Sequence, residues 1–246
     1  MENQERRRKG IYLLPNLFTT GTLFAGFFAI VSAIQGHFTA AAVGIFLAMV
    51  ADGLDGRVAR LTNTQSDFGK EYDSLSDCIA FGLAAAIVIY VWGLQYLGDY
   101  GWAGAKLGWL AAFLYAAATA LRLARFNVHP LSREKRYFYG LPSPSGAAVT
   151  AGFVWFGQDL GLSGATLAVP AFIITVGAAV LMVSTIKYYS FKEVKLSERV
   201  PFVYILAVVL IFALIAVNPA RVLFSAFFLY ALSGPVMALR RRLRRG

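Results

Sequence analysis

Apolar stretches such as TLFAGFFAIVSAI, AAFLYAAATAL and AFIITVGAAVLMV recur from one end of the chain to the other, separated by short polar breaks. A helix needs about 20 mostly apolar residues to cross a bilayer, where each backbone polar group must find its partner without water. With 58% of 246 residues hydrophobic and 15% charged, one soluble core cannot hide this much apolar surface. The expected fold class is an all-α integral membrane protein with about eight transmembrane helices. Breaks at Gly, Pro and charge clusters predict spans near 14–35, 38–60, 70–96, 103–126, 143–158, 165–186, 200–217 and 220–239. The fifth is short for a full crossing and rich in small residues.

Charge gives these spans a direction. With eight crossings, every Lys and Arg except Lys106 and Arg221 falls on one side, from Arg6-Arg7-Arg8-Lys9 to the tail beginning at Arg240. Basic residues of short loops concentrate in the cytoplasm, so both termini are expected there, in a cell (inner, cytoplasmic) membrane. Tyr90, Trp92, Tyr96, Tyr100 and Trp102 are expected at the opposite interface. The basic N-terminal stretch precedes an apolar run without a small-residue cleavage site, so the first span is read as retained. The net charge of +10 sits at span ends rather than among exposed aromatic platforms, which favours membrane lipids over nucleic acid as partner. Cys78 stands alone and reads as a packing residue; His37 and His129 have no partners at metal-ligand spacing.

Acidic residues are distributed unevenly. Of 13, six (Asp52, Asp55, Asp67, Glu71, Asp73 and Asp77) fall in ADGLDGRVARLTNTQSDFGKEYDSLSD, residues 51–77. Asp52, Asp55, Gly56, Ala59 and Arg60 follow the spacing of one helix face, and Gly69, Asp73 and Asp77 recur every fourth residue on the next helix. The short connection makes these helices antiparallel neighbours, so the two stripes bring four carboxylates around one small volume. Like charges 4 Å apart repel by about 4 kcal/mol even at an effective dielectric of 20, so such a cluster protonates, separates or binds cations. All-oxygen ligands point to hard ions, Mg²⁺ first and Mn²⁺ or Ca²⁺ next. Two of them about 3.5 to 4 Å apart form a clamp for in-line displacement at phosphorus. The small residues leave room for a phosphate or nucleotide, whose oxygens Arg60 can grip. Asp52 lies about 12 Å along its helix from Arg60, just below the headgroups. That depth suits a lipid with a charged head at the cytoplasmic face.

The same positions resemble the signature of the CDP-alcohol phosphotransferases, D-G-x-x-D-G-x-x-A-R-x8-G-x3-D-x3-D, with every fixed position filled from Asp52 to Asp77. The resemblance implies that Asp52 and Asp73 bridge two divalent cations, that Asp55 ligates one and Asp77 the other, and that Asp77 accepts the proton of the incoming alcohol. It further implies that Gly56, Ala59, Arg60, Ser66 and Gly69, with Asn16, Thr19 and Thr20 of LPNLFTTGT, contact a CDP-diacylglycerol. No organic cofactor is expected, and a homodimer is. RLARFNV (122–128), YFYGLPSPSGAA (137–148) and MVSTIKYYSFK (182–192) look like the subgroup of that family that makes phosphatidylserine, so L-serine is the expected acceptor. Arg122 and Arg125, three residues apart, are candidates for its carboxylate and for a lipid phosphate. The expected organisation is a basic N-terminus (1–13), a six-helix catalytic core (14–186), two additional helices (187–239) and a basic tail (240–246). Inositol phosphate, glycerol phosphate and choline are the competing acceptors. A cation transporter using the four aspartates is the reading from another class, and a structural scaffold leaves the filled signature unexplained.

Overall fold

The computed structural model describes residues 2–62, 66–128, 137–189 and 202–243. Its elements in order are α1 (Glu2–Ile34), α2 (Phe38–Leu61), α3 (Asp67–Asp77), a π-helical segment (Cys78–Ala84), α4 (Ala85–Trp92), a 3-10 segment (Leu94–Tyr100), α5 (Trp102–Val128), β1 (Tyr137–Tyr139), α6 (Ser143–Asp159), α7 (Ala168–Val183), β2 (Lys187–Tyr189), α8 (Phe202–Val217) and α9 (Pro219–Leu243). His129, Arg133, Lys135, Arg136, Lys192, Lys195, Arg199 and the last residues of the tail lie outside the described residues. So do the side chains of Arg6, Arg7, Arg8 and Lys9.

This is a multi-pass helical membrane protein. Among the described residues, Asn16–Ile34, Phe38–Leu61, Asp67–Trp92, Trp102–Val128 and Pro219–Arg241 are long and apolar enough to cross a bilayer. The other expected spans coincide with α6, α7 and α8, which have 17, 16 and 16 residues. Helical ends explain the reversals. Gly36, at φ +79°, ends α1 while its N–H reaches Ala33 O (3.0 Å) and the N–H of His37 reaches Ser32 O (2.8 Å). This pair of bonds closes a helix and turns the chain back, so α2 lies antiparallel to α1.

Two expectations are corrected. The third span does not run unbroken to residue 96: the helix relaxes into a π turn directly after Asp77 and stops at Trp92. Trp92 is not an interfacial aromatic but a core residue, 1% exposed, with its ring edge-on to Phe153 at 5.7 Å; Tyr100 and Trp102 are exposed. The described residues are predominantly helical, as an all-α membrane protein should be, with one short ribbon beside the helices. β1 and β2 pair antiparallel, Tyr137 opposite Tyr189 and Tyr139 opposite Lys187. The ribbon continues as Gly140 N–H bonds to Ile186 O and Leu141 N–H to Leu181 O, both 2.9 Å.

Alanines form much of the core, so helix axes approach closely. A Cβ on Gly26 of α1 would stand 2.7 Å from Ala80 Cα in the π segment. Bonds at the helix ends set the register. At one end Arg122 of α5 donates to Ser143 Oγ of α6 (3.2 Å) and Arg125 to Val183 O of α7 (3.5 Å). At the other, Asp159 of α6 accepts from Nδ2 of Asn218 (3.1 Å), the residue before α9, and from Nε of Arg221 (2.7 Å) in α9. Those two donors hold the Asp159 carboxyl below its ordinary range.

Candidate active site

Asp52 and Asp55 leave the last turns of α2, and Asp73 faces them from α3. One carboxylate oxygen of each lies within 4.8 Å of the others. The connection from α2 to α3 returns the chain through Ser66, whose Oγ caps α3 by accepting the N–H of Gly69 at 3.0 Å. A cap of this kind satisfies an otherwise orphan donor and fixes where the helix begins. Asp73, seven residues beyond the cap, is thereby held opposite the end of α2.

α1 supplies the back wall. Thr19 is 3% exposed and donates from Oγ1 to Asp55 Oδ2 at 3.0 Å; Asp55 is itself only 5% exposed. Thr20 Oγ1 lies 3.0 Å from Tyr72 Oη and donates to Asn16 O at 2.7 Å. Asn16 Oδ1 lies 3.5 Å from where a Cβ on Gly69 would sit. Asn16, Thr19, Thr20, Ser66 and Gly69 therefore gather on the wall where α1 meets α2 and α3. A Cβ on Gly53 or Gly56 would meet nothing within 4 Å, so these two glycines border open space beside the carboxylates. Ala59 is half-buried and Arg60 exposed on the same helix.

Asp77 lies outside the tightest group. It is close enough to Asp52, Asp73, Asp55 and Arg122 to feel their charge. Its Oδ1 is buried without a hydrogen-bond partner, as is Arg122 Nε. Buried polar atoms without partners are rare in folded proteins and mark places where a ligand completes the shell. Three carboxylate oxygens from separate residues, plus an unpartnered fourth nearby, make a hard all-oxygen set that fits a divalent cation.

The π segment explains how Asp77 is presented. An extra residue per turn shifts the register immediately after Asp77, a distortion frequent at functional sites. Tyr115 of α5, fully buried, braces it by donating to Phe81 O at 3.1 Å. Sequence reasoning missed Tyr115, and also Tyr72, Ser143 and Asn127, whose Nδ2 donates to Ser74 Oγ at 2.9 Å. Ser143 and Asn127 lie inside the stretches singled out from the sequence, but only the helix packing reveals their contacts. Arg122 and Arg125 diverge: Arg122 faces Ser143 and Asp77, whereas Arg125 reaches the last turn of α7.

The sequence profile of the CDP-alcohol phosphatidyltransferases matches residues 12–183, well over half of the chain. The chain belongs to this family. Members of the CDP-alcohol phosphatidyltransferase family that it resembles include the CDP-diacylglycerol–serine O-phosphatidyltransferase of Helicobacter pylori strain 26695, 37% identical over 227 residues, or 91% of this chain and 90% of the relative. The protein of the same description from Methanocaldococcus jannaschii is 33% identical, over 80% of this chain and 83% of its own. An archaetidylserine synthase from Methanothermobacter thermautotrophicus is 36% identical, over 71% and 69% respectively.

Proposed function

We propose that this CDP-alcohol phosphatidyltransferase family member is an enzyme of phospholipid biosynthesis that transfers the phosphatidyl group of CDP-diacylglycerol to the hydroxyl of L-serine, giving phosphatidylserine and CMP. The observation that carries the reading is the meeting of Asp52, Asp55 and Asp73 within 4.8 Å, beside a buried, unpartnered Asp77 oxygen. The relatives, bacterial and archaeal alike, are named for making serine lipids, which supplies the serine acceptor.

Asp52 and Asp73 would bridge two divalent cations, Mg²⁺ or Mn²⁺, with Asp55 on one and Asp77 on the other. Such ions, when bound, draw charge from the phosphate oxygens of the substrate and lower the barrier to attack at phosphorus. The chain supplies the rest. Gly56, Ala59, Arg60 and Gly69, with Asn16, Thr20 and Ser66, line the place for the CDP-lipid, while Thr19 orients Asp55. Arg122, fixed by Ser143, offers its guanidinium to the serine carboxylate. Asp77 takes the proton of the serine hydroxyl as its oxygen bonds to the lipid-side phosphorus, and the bond from that phosphorus to the CMP oxygen breaks.

The site is assigned to the cytoplasmic face of the cell membrane, in a protein of eight crossings with both termini inside. Its catalytic core spans 14–186, two further helices fill 187–239, and the enzyme works as a homodimer. The test is CMP release from CDP-diacylglycerol by the purified protein with each alcohol in turn. Serine is expected to be preferred over inositol phosphate, glycerol phosphate and choline; equal rates, or none with serine, would overturn the acceptor assignment.

A further inference from the structure

We infer that Ser76 positions the cations proposed for the aspartate cluster, its hydroxyl bonding to a water carried by the ion on Asp73; this rests on the metal reading given for Asp52, Asp55, Asp73 and Asp77.

Ser76 is 1% exposed, and its Oγ is buried without a hydrogen-bond partner in the chain. That state is unusual for a helical serine, whose hydroxyl can turn to the carbonyl four residues back. Ser74, two positions earlier on α3, does so, donating to Lys70 O at 3.0 Å. Thr20, Thr119, Thr150 and Thr175 make the same bond in their own helices. The Ser76 hydroxyl forgoes it, and a buried polar atom of this kind marks a place where a ligand completes the shell.

Position identifies that ligand. Tyr72 and Ala80, four residues before and after Ser76, both meet α1: Tyr72 Oη lies 3.0 Å from Thr20 Oγ1, and a Cβ on Gly26 would stand 2.7 Å from Ala80 Cα. Ser76 therefore faces the stretch of α1 between Thr20 and Gly26. The buried threonine of that stretch is engaged elsewhere, Thr22 donating to Phe18 O at 3.3 Å and Ala48 O at 3.5 Å. Ser76 also follows Asp73 by three residues, a spacing that sets side chains next to one another on a helix, and it directly precedes Asp77. The hydroxyl is thus buried against α1 and flanked by two of the four carboxylates.

A substrate phosphate is too large for a side chain so enclosed, and a lipid tail offers it no hydrogen bond. Water carried by a hard cation is the smallest partner, and Mg²⁺ in particular keeps several of its waters when carboxylates bind it. Groups that hold the surroundings of a metal in this way set its affinity. An orphan hydroxyl also weakens the fold until it finds a partner. Ser76 consequently exchanges stability of the metal-free protein for affinity toward the ion.

The experiment compares the full chain with Ser76→Ala in the absence of CDP-lipid and serine, titrating Mn²⁺ and reading the free ion by electron paramagnetic resonance. Thermal unfolding is followed with and without Mn²⁺. Loss of the hydroxyl is expected to weaken Mn²⁺ binding by about tenfold, yet to raise the melting temperature of the metal-free protein. Ser74→Ala makes the same gain in helix propensity but loses a hydroxyl that is already bonded, so it should lower that temperature. With Mn²⁺ bound, the advantage of Ser76→Ala should shrink or reverse. Unchanged Mn²⁺ affinity in Ser76→Ala, or a melting temperature that falls without metal, would overturn the role of Ser76 alone. Absence of Mn²⁺ binding by the parent protein would instead overturn the metal reading, and the role of Ser76 with it.

Discussion

Tyr188 donates its hydroxyl to the carbonyl oxygen of Ala231, the carbonyl that Pro235 leaves unpaired within α9. Tyr188→Phe keeps the ring against Gly234 and removes only this donor. A buried carbonyl left without a partner costs about 1 to 3 kcal/mol, so the variant's unfolding midpoint is expected to fall in a thermal scan, with turnover of the folded enzyme retained. An unchanged midpoint would mean that the bond contributes nothing. Burial pushes the Tyr188 hydroxyl's pKa up. The donor therefore stays protonated, and its contribution is complete below the ordinary tyrosine pKa of about 10 and fades as pH rises past it.

Thr19 was assigned to the lipid pocket from sequence, yet its hydroxyl holds Asp55. Partners that orient metal ligands typically influence affinity by about 10- to 100-fold. Thr19→Val is expected to shift the Mn²⁺ dependence of turnover upward by roughly tenfold, with little change in KM for CDP-diacylglycerol at saturating metal. The opposite pattern, a raised lipid KM with an unmoved metal curve, would return Thr19 to direct substrate contact.

Asp77→Asn keeps the shape of the residue beside Arg122 and removes its capacity to take a proton. Loss of a general base typically costs about 10²- to 10⁴-fold in rate, and loss of a metal ligand adds to that. Turnover should fall by at least about 100-fold while binding of CDP-diacylglycerol, measured by calorimetry, is largely spared. Full activity in this variant would remove Asp77 from both roles.

Arg122 is held by Ser143 and faces Asp77. Lysine keeps the charge but not the planar fork that grips a carboxylate, so Arg122→Lys is expected to raise KM for serine by about tenfold or more with a smaller change in KM for the CDP-lipid. Ser143→Ala should move the same parameter in the same direction by less. Arg125→Lys should leave serine dependence unaltered, because Arg125 reaches Val183 O instead.

Asp159 ties α6 to α9 through Asn218 and Arg221, and these bonds depress its pKa. A depressed carboxyl stabilises the fold above its unfolded-state pKa and loses that effect as pH falls through its folded value. Asp159→Asn should therefore lower the melting temperature at neutral pH. The gap from the parent protein should close as the pH is taken below about 4. A gap constant with pH would show that shape, not charge, makes the contact.

Spans one to four and the last span, the acidic stripes and the tilt of basic charge toward one set of helix ends are local facts of composition and spacing. They were legible because hydrocarbon imposes a length on every crossing and because helix geometry turns a four-residue spacing into a face. Asp52, Asp55 and Asp73 could be brought together on paper for the same reason. Trp92 is placed wrongly at the interface by its sequence, since a Trp at a span end reads the same whether it faces lipid or Phe153. The break after Asp77 has no sequence mark either: the π segment exists because Tyr115 and the close approach of Gly26 to Ala80 hold it from two other helices.

The sequence by itself thus determined that this chain crosses a membrane and carries its carboxylates on two adjoining helix faces, because both follow from periodicity along one strand of chain. Only the tertiary structure decided that Thr19 holds Asp55, that Arg122 turns to Ser143 while Arg125 turns away, and that Tyr188 fills the gap left by Pro235. Those contacts join residues 36, 21, 58 and 43 positions apart, and no local pattern encodes which distant donor will reach a given acceptor once the helices pack.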